Sequence, residues 1–572
     1  AARGIVYDRS GKILVDNVPR FQVVIIPQYV VDPAGMLNSL QSLLDLSKAE
    51  LDEVWAKRLR QAKYQQLVVK ADASLDEIAR IRARKSPWHD SSEKFDLRGV
   101  EVRTTYQRTY PAGSAAAHVL GYVSEIDGDR LKKYQQEYPD RYKLGDQVGV
   151  SALEEEWDEL IRGEEGFEQR AVNAVGREVE YIGITNRLKT KPAHAGASLH
   201  LTIDAEMQSF AQELFAGRRG SAVVIDVNTG ALLTLLSSPT YELEKLTTAK
   251  AENYWRKVRA QQSKPLFNRA VQGAYPPAST YKIVTAIAGL SEELITPEER
   301  IDCHGAYRFG RRTFHCWNRR GHGSSNLRDS IIHSCDIYYY VLGLRLGVDR
   351  LAKYANLLGF GSPTGIRLAG ERSGLIPTKA WKKQRFGSKW LEGETLSIAV
   401  GQGYDLVTPL QNALMIAQVV NGGKSLTPHL VSSAFSEEAK QVYSFTNKET
   451  QQIYLDPEVL QQVSQALADV VSTPGGTAHR LSRYKVSMGG KTGTAQVVSL
   501  SSKCSSEKCR DHGWFVGFSP AKQAQIAVSV IVENGGFGSS SAAPIAGALM
   551  QKYHDISQAQ MALTAKSNKL SP

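Results

Sequence analysis

Apolar and polar residues alternate over the first 45 positions, in "GIVYDRSGKILVDN" and then "FQVVIIPQYV". That is the period of half-buried strands. Asp8, Ser10 and Gly11 interrupt it and read as a turn between two strands. Residues 47–90 are charge-rich and change to a helical period, with Leu51, Val54 and Leu59 on one side. Residues 100–125 return to strand and loop. "GVSALEEEWDELIRGEEG" (149–166) reads as a capped helix stopped by Gly163, and "EQRAVNAVGREVEYIG" (168–183) as a hairpin. Residues 1–197 are therefore expected to form an elongated N-terminal pedestal of strands and short helices, with a head at roughly 46–100. No catalytic cluster lies in it.

The texture changes at 198. "SLHLTIDAEMQSFAQELFAGRRGSAVVIDVNTGALLTLLSSPTY" reads as strand, helix, strand and hairpin, with "NTG" at the turn. From 198 to 553 the pattern is that of one large α+β domain. Residues 554–572, "HDISQAQMALTAKSNKLSP", are polar and expected to be a mobile tail. There are no internal repeats and no low-complexity block.

Composition narrows this picture. A chain of 572 residues is too long for one core, so two or more domains are expected. Hydrophobic residues make up 42% and charged residues 23%, as in soluble globular proteins. The net charge of +11 suits a polyanionic partner. No dense basic run with interleaved aromatics occurs, which argues against nucleic acid. No apolar stretch approaches the roughly 18–20 residues of a membrane span. The N-terminus, "AARGIVYDRSGKIL", has no signal-like apolar region and starts directly in strand-like sequence.

Candidate chemistry begins at "YPPASTYKIV", residues 275–284. Pro276 and Pro277 can lead into a helix but not sit inside one. Ile283, Val284, Ile287 and Leu290 follow at helical spacing, so Ser279 falls at a helix start with Lys282 one turn on. A serine hydroxyl needs a base to become a nucleophile, and a helix N-terminus favours developing negative charge. Alone, the pair would read as an N-cap serine and a surface lysine. Two further pieces join it: "HSCDIYYY", where Ser334 and Asp336 bracket Cys335, and the glycine-flanked strand "GGKTGTAQV" (489–497). Together they make the S-x-x-K, S-x-N/D and K-T-G set of penicilloyl serine transferases.

Each residue type suits a task. Ser279 attacks a carbonyl and carries the acyl group, and Lys282, if held neutral, takes the serine proton. Ser334 relays a proton to the leaving amine, oriented by Asp336. Lys491 adds positive charge near a substrate carboxylate that Thr492 and Thr494 hydrogen-bond. Gly493 leaves the strand edge open to a substrate backbone. The N–H groups of Ser279 and Thr494 form an oxyanion hole.

On these motifs the chain resembles a class B penicillin-binding protein, over nearly its whole length. "RGIVYDRSGKIL" and "GVSALEEEWDELIRG" are similar to the family's R-G-x-I-x-D-R-x-G-x-x-L and G-x-S-G-L-E stretches, with Ala152 where glycine is usual. "GQGYDLVTPLQ" (401–411), "GGTAH" (475–479) and "ENGG" (533–536) fit as well. "RTYPAGSAAAHVLGYV", "ERSGLIPT", "GHG" and "RDHGWFVGFSP" resemble the elongation type, penicillin-binding protein 2. Three positions depart from the family: Ala278 for glycine before the serine, Ile283 for proline after the lysine, and Asp336 for the commoner asparagine.

The resemblance implies a central antiparallel sheet flanked by helices, and a D,D-transpeptidase acting on peptidoglycan stem peptides that end in D-Ala-D-Ala. It implies acylation by β-lactams at Ser279. It also implies partnership with a SEDS-type, RodA-like glycosyltransferase and an MreC-like scaffold. The enzyme would work at the periplasmic face of the inner membrane, held by an N-terminal helix that this chain lacks. Division-type transpeptidase, serine β-lactamase, D,D-carboxypeptidase and non-catalytic penicillin sensor or polymerase activator are the rival readings.

The five cysteines form two groups. Cys303, Cys316, His322 and Cys335 follow the pattern C-x12-C-x5-H-x12-C. Three thiolates and an imidazole make a closed structural zinc site, and some elongation-type relatives are similar in having one here. Buried free thiols, or one disulfide with a cysteine left over, are the alternatives, and His304 and His315 are alternative ligands. Zinc there would brace the catalytic loop from behind without activating water. No cofactor is expected for catalysis itself. Cys504 and Cys509, in the polar loop "SSKCSSEKCRDHG", suit a short disulfide or free thiols, and His512 reads as structural.

Overall fold

Asp8 makes the first turn, as expected. Its Oδ1 accepts from the N–H of Ser10 at 2.8 Å and of Lys12 at 2.8 Å, which sets Val6–Tyr7 antiparallel to Ile13–Ile25. The computed structural model in which this is seen describes residues 1–60, 63, 65–85, 97–139, 141–143, 145–169, 171, 189–247, 251–446, 453–497 and 506–570. Ile13–Ile25 then pairs antiparallel with Val100–Thr109, from Asp16 opposite Thr109 to Ile25 opposite Val100.

The far end of this ladder carries a head with its own core. Pro33–Leu44 starts on the Asp32 cap with proline at its first turn, and Lys48–Ala56 starts on a Ser47–Glu50 capping box. These helices and Leu75–Lys85 bury Met36, Leu40, Leu51, Ile78 and Ile81 against Val23, Ile25 and Val100. The head thus takes in strand residues from before position 46. Leu59 does not share the buried side. The helix stops at Ala56, and Leu59, in the 3-10 turn Lys57–Arg60, is 79% exposed.

The helix expected over 149–166 is broken in two, Ala152–Glu156 and Asp158–Ile161. Trp157 leaves helical geometry (φ −114, ψ 11) and is buried, its ring set edge-on to Tyr443 at 4.7 Å. Glu154 is fully buried between two arginines, with Arg3 Nη2 at 2.6 Å and Arg108 Nε at 2.8 Å. Burial would raise its pKa, but Arg108 and Arg3 together hold the carboxyl below its ordinary range. The hairpin expected at 168–183 falls largely outside the described residues.

The pedestal sheet crosses the boundary drawn at 197. Its order is Gln441–Ser444, Val431–Phe435, Ser198–Leu201, Val6–Tyr7, Ile13–Ile25, Leu67–Lys70, with Val100–Thr109 also on Ile13–Ile25. Val6 lies parallel to Leu199, and Leu201 pairs with Val431. Residues from the catalytic half therefore complete it.

The catalytic half is built on five antiparallel strands in the order Leu232–Ser238, Gly220–Asp226, Ile526–Val532, His512–Ser519, Gly489–Ala495. The middle strands are buried at nearly every position, so both faces are covered. Pro409–Val420 packs on one face, and Gly538–Leu570 with Ala205–Phe215 on the other. Gly489–Ala495 is left as an edge. Residues 554–570, expected as a mobile tail, instead continue the helix Gly538–Leu570. The segment is rich in Ala, Gln, Lys and Leu, and no glycine or proline lies in it, so its polarity hid a good helix former.

Candidate active site

Ser279 stands where the sequence places it, on a 3-10 turn, Ala278–Thr280, that runs into helix Lys282–Ser291. The turn is clamped from several sides. Ala278 N–H donates to Gly401 O at 2.7 Å, and Trp514 Nε1 donates to Pro276 O at 3.0 Å. Thr280 Oγ1 donates to Pro277 O at 2.7 Å and accepts from Asn412 Nδ2 at 3.2 Å. Ahead of it, Tyr275 Oη and Arg269 Nε both donate to Glu533 Oε1 at 2.8 Å. Ala278 has φ 53, a left-handed conformation that favours glycine. Ala152, the other alanine standing in a glycine position of the motifs, has φ 50. Ser279 itself is partly exposed, and its hydroxyl makes no hydrogen bond among the described residues.

Lys282 is wholly buried. Its Nζ lies 2.7 Å from Asp336 Oδ1, 2.9 Å from Ser334 O and 3.2 Å from Ser334 Oγ. Ser334 occupies the turn between helices Leu327–Ile332 and Asp336–Leu346 at φ 55. Such a strained residue persists only where its surroundings over-determine it. Asp336 was expected to orient the Ser334 hydroxyl. It holds Lys282 with one oxygen, and with the other it accepts the N–H of Trp317 at 2.8 Å. The Trp317 indole N–H turns back to Ser334 O at 3.1 Å.

Lys491 was expected as a fixed positive charge. It is also fully buried, and its Nζ donates to Thr492 O at 3.3 Å. Burial pushes its amine well below the ordinary lysine value, and the charge of Lys282 adds to this against the pull of Asp336. Thr492 Oγ1 donates to Thr477 Oγ1 at 2.9 Å. Thr494 O accepts from Gln402 Nε2 at 3.1 Å. Gly493 has a second reason to be glycine. A Cβ there would meet Trp514 Cβ at 3.1 Å, Pro277 O at 3.3 Å and Thr280 Cγ2 at 3.3 Å, so the Ser279 turn or the strand would have to give by a few tenths of an ångström. His512 accepts the Asn534 N–H at 2.9 Å through Nδ1, a structural bond. Gln402, Thr477, Asn412 and Trp317 were not singled out from sequence. The "GQG" and "GGTAH" stretches flagged their neighbourhoods, but nothing local specifies their partners.

Behind Asp336, the ligand atoms of Cys303, Cys316, His322 and Cys335 lie within 4.8 Å of one another. His322 Nδ1 is 3.7 Å from Cys303 Sγ and 3.5 Å from Cys316 Sγ. All three thiols are free and buried, and His304 and His315 are exposed and outside the group. Four donors of this chemistry, converging on one point, fit a tetrahedral ion. The two hairpin cysteines flank strands Ala306–Phe309 and Arg312–His315. The disulfide expected between Cys504 and Cys509 involves Cys504, outside the described residues; Cys509 is disulfide-bonded.

A serine whose hydroxyl is unbonded among the described residues, a buried lysine fixed by a second serine's loop, and an unpaired strand edge beside them are parts found in a serine acyltransferase. Models of a penicillin binding protein transpeptidase domain and a penicillin-binding protein dimerisation domain match residues 220–551 and 1–201. The peptidoglycan D,D-transpeptidase MrdA of Haemophilus influenzae is 32% identical over 568 residues, covering 96% of this chain and 84% of that one. MrdA of Escherichia coli K12 is 32% identical over 566 residues, covering 97% and 86%. Among solved structures, Helicobacter pylori PBP2 in complex with MreC superimposes with a TM-score of 0.82 at 26% identity, covering 97% of both chains. Pseudomonas aeruginosa PBP2 in complex with WCK 5153 gives 0.69 at 28%, covering 96% and 95%. The chain belongs to the penicillin-binding protein transpeptidases, as a peptidoglycan D,D-transpeptidase of the elongation type.

Proposed function

We propose that Ser279 is the nucleophile, and that Lys282, Ser334, Asp336 and Lys491 form the proton-handling network around it. Ser279 Oγ attacks the carbonyl of the penultimate D-alanine. The Ser279–carbonyl bond forms, the terminal D-alanine leaves as an amine, and an amine of a neighbouring stem peptide then takes the acyl group. The observation that carries this reading is the buried Lys282 amine, held on Asp336 at 2.7 Å and on the carbonyl and hydroxyl of Ser334. Asp336 positions Lys282. Lys491, which burial drives toward its neutral form, is the amine suited to accept a proton. Ser334 Oγ accepts from Lys282 Nζ at 3.2 Å, and as its own hydroxyl proton passes to the leaving amine it takes back, through the lysine network, the proton given up by Ser279. The edge strand Gly489–Ala495 receives the donor peptide as an added strand, with Thr492 and Thr494 at its carboxylate. The N–H groups of Ser279 and Thr494 stabilise the oxyanion.

In the same reading Cys303, Cys316, His322 and Cys335 hold a structural zinc ion. Such an ion supplies cross-linking of the hairpin to the catalytic loop and, with four protein ligands, no open position. Residues 1–197 act as pedestal, with the 431–444 hairpin lent to its sheet, and 198–553 as the catalytic domain. The enzyme works at the periplasmic face of the inner membrane, beside an MreC-like scaffold and a RodA-like glycosyltransferase. The disulfide at Cys509 suits that oxidising compartment, and two similar solved structures are complexes, one of PBP2 with MreC and one a peptidoglycan synthase complex.

Intact-protein mass after mixing with benzylpenicillin tests the assignment. A lasting adduct on the wild type, absent in Ser279→Ala, is the expected result. An adduct that survives in Ser279→Ala overturns it, and rapid drug turnover would mark a hydrolase.

A further inference from the structure

Beyond the GQG turn the chain builds a second surface that the chemistry above does not use. Helix Lys379–Phe386 and the segment after it expose Lys383, Arg385, Phe386, Lys389 and Leu391. Phe386 is 54% and Leu391 64% exposed. This surface is rigid underneath. Trp381, Phe386 and Trp390 gather around Tyr404, with ring centroids 5.2, 5.8 and 6.3 Å from it. Buried Lys382 lies 5.6 Å over the Trp390 ring and pairs with Glu394. Trp390 Nε1 donates to Thr395 Oγ1 at 2.8 Å. A large aromatic held half in solvent by a fixed lattice costs little entropy when it binds.

The patch is also positively charged. Among the described residues Lys383, Arg385 and Lys389 form no ion pair, while Lys379 faces Asp349 at 3.7 Å. Glu392 is an exposed carboxylate at its margin.

Its position ties it to the reacting groups. Tyr404 follows Gln402, which bonds the Thr494 carbonyl, and Gly401, which accepts the Ala278 N–H. The helix that begins at the patch, Glu392–Ala399, packs on helix Asp336–Leu346. The patch therefore adjoins the GQG turn that holds the Ser279 turn and the Thr494 strand.

We propose that this face seats the polymeric substrate beyond its reacting peptide end: a sugar strand bearing carboxylate-rich stem peptides. The face of Phe386 packs on the apolar C–H faces of the sugars, and Lys383, Arg385 and Lys389 meet the carboxylates. Charge complementarity and the link through the GQG turn to the Ser279 turn and the Thr494 strand favour this occupant over a flat lipid surface, which would have no use for a preformed ring lattice. The inference rests on the transpeptidase reading and adds where the strand lies.

The test uses the whole chain, co-sedimented with insoluble purified peptidoglycan at low and high salt, and with phosphatidylglycerol vesicles. Variants are Phe386→Ala and the double charge reversal Lys383→Glu with Arg385→Glu. Acylation by a fluorescent penicillin, read in the same samples, reports the cleft alone. Each variant is expected to bind peptidoglycan roughly five- to tenfold more weakly, with acylation kept within about twofold. The charge reversal should also flatten the salt dependence. Unchanged peptidoglycan binding in both variants overturns the proposal. So does loss of vesicle binding alone, which would reassign the patch to lipid, or a matching loss of acylation, which would make it structural. Failure of the wild type to acylate would instead sink the transpeptidase reading.

Discussion

Asp336 binds Lys282 Nζ at 2.7 Å with one oxygen and the backbone N–H of Trp317 at 2.8 Å with the other. One carboxylate thus joins the Lys282 helix to the cysteine hairpin. Its removal should be felt on both sides. Asp336→Ala leaves a fully buried ammonium without its partner, a loss of about 3–5 kcal/mol. Penicillin acylation should fall roughly 100-fold or more. Asp336→Asn keeps one acceptor oxygen but turns an NH2 donor toward the other partner and removes the charge, so it should lose less than Asp336→Ala without keeping the full rate. Stopped-flow acylation and thermal melting of the two variants check this, and equal losses in both would mean that the hydrogen-bond geometry alone does not suffice.

Acylation should also rise with pH. If Lys491 accepts the proton, its neutral form is the active one, and burial brings that form in well below the ordinary lysine value. The rate should climb as pH rises through this lowered pKa and level off above it. Lys491→Arg cannot become neutral in this range and should lose the rise together with roughly 100-fold of the rate. A pH–rate profile of the same shape in the arginine variant would remove Lys491 from the role.

The alanines at φ 50 and φ 53 carry backbone strain that glycine would not. Ala152→Gly should stabilise the chain by about 0.5–1 kcal/mol after the larger entropy of the unfolded glycine is subtracted. Ala152→Val should destabilise it. Melting temperatures of the pair decide the sign.

Zinc removal is expected to act at a distance. A strong chelator under reducing conditions should release one metal per chain, lower the melting temperature and slow acylation by roughly tenfold. The same acylation rate after verified release would separate the cysteine cluster from catalysis.

Where the pattern is local, the sequence was a good guide. Two prolines before Ser279 announced a helix start, and the glycine-flanked "KTGT" announced a strand. What escaped was long-range. The Asp336 carboxylate was assigned to its chain neighbour Ser334, because nothing local shows that Lys282, 54 residues away, would claim it. Trp157 breaks a helix that its neighbours favour, since burying the indole against Tyr443 outweighs one turn of helix. Polar composition at 554–570 was read as disorder although the segment holds no helix breaker. Tyr275, Arg269 and Glu533 meet across more than 250 positions, a pairing no periodicity encodes.

The sheet shared by the two halves also bears on how the chain is made. Ser198–Leu201 lies between Val6–Tyr7 and Val431–Phe435, which in turn pairs with Gln441–Ser444. During synthesis the outer edge of Ser198–Leu201 must therefore stay bare until Val431–Phe435 has emerged. For most of translation the chain holds an unfinished strand edge, the kind of surface that invites wrong pairing. A holding chaperone would matter here more than for a protein whose halves close one after the other, and truncations that stop short of residue 431 should aggregate rather than yield a free-standing pedestal.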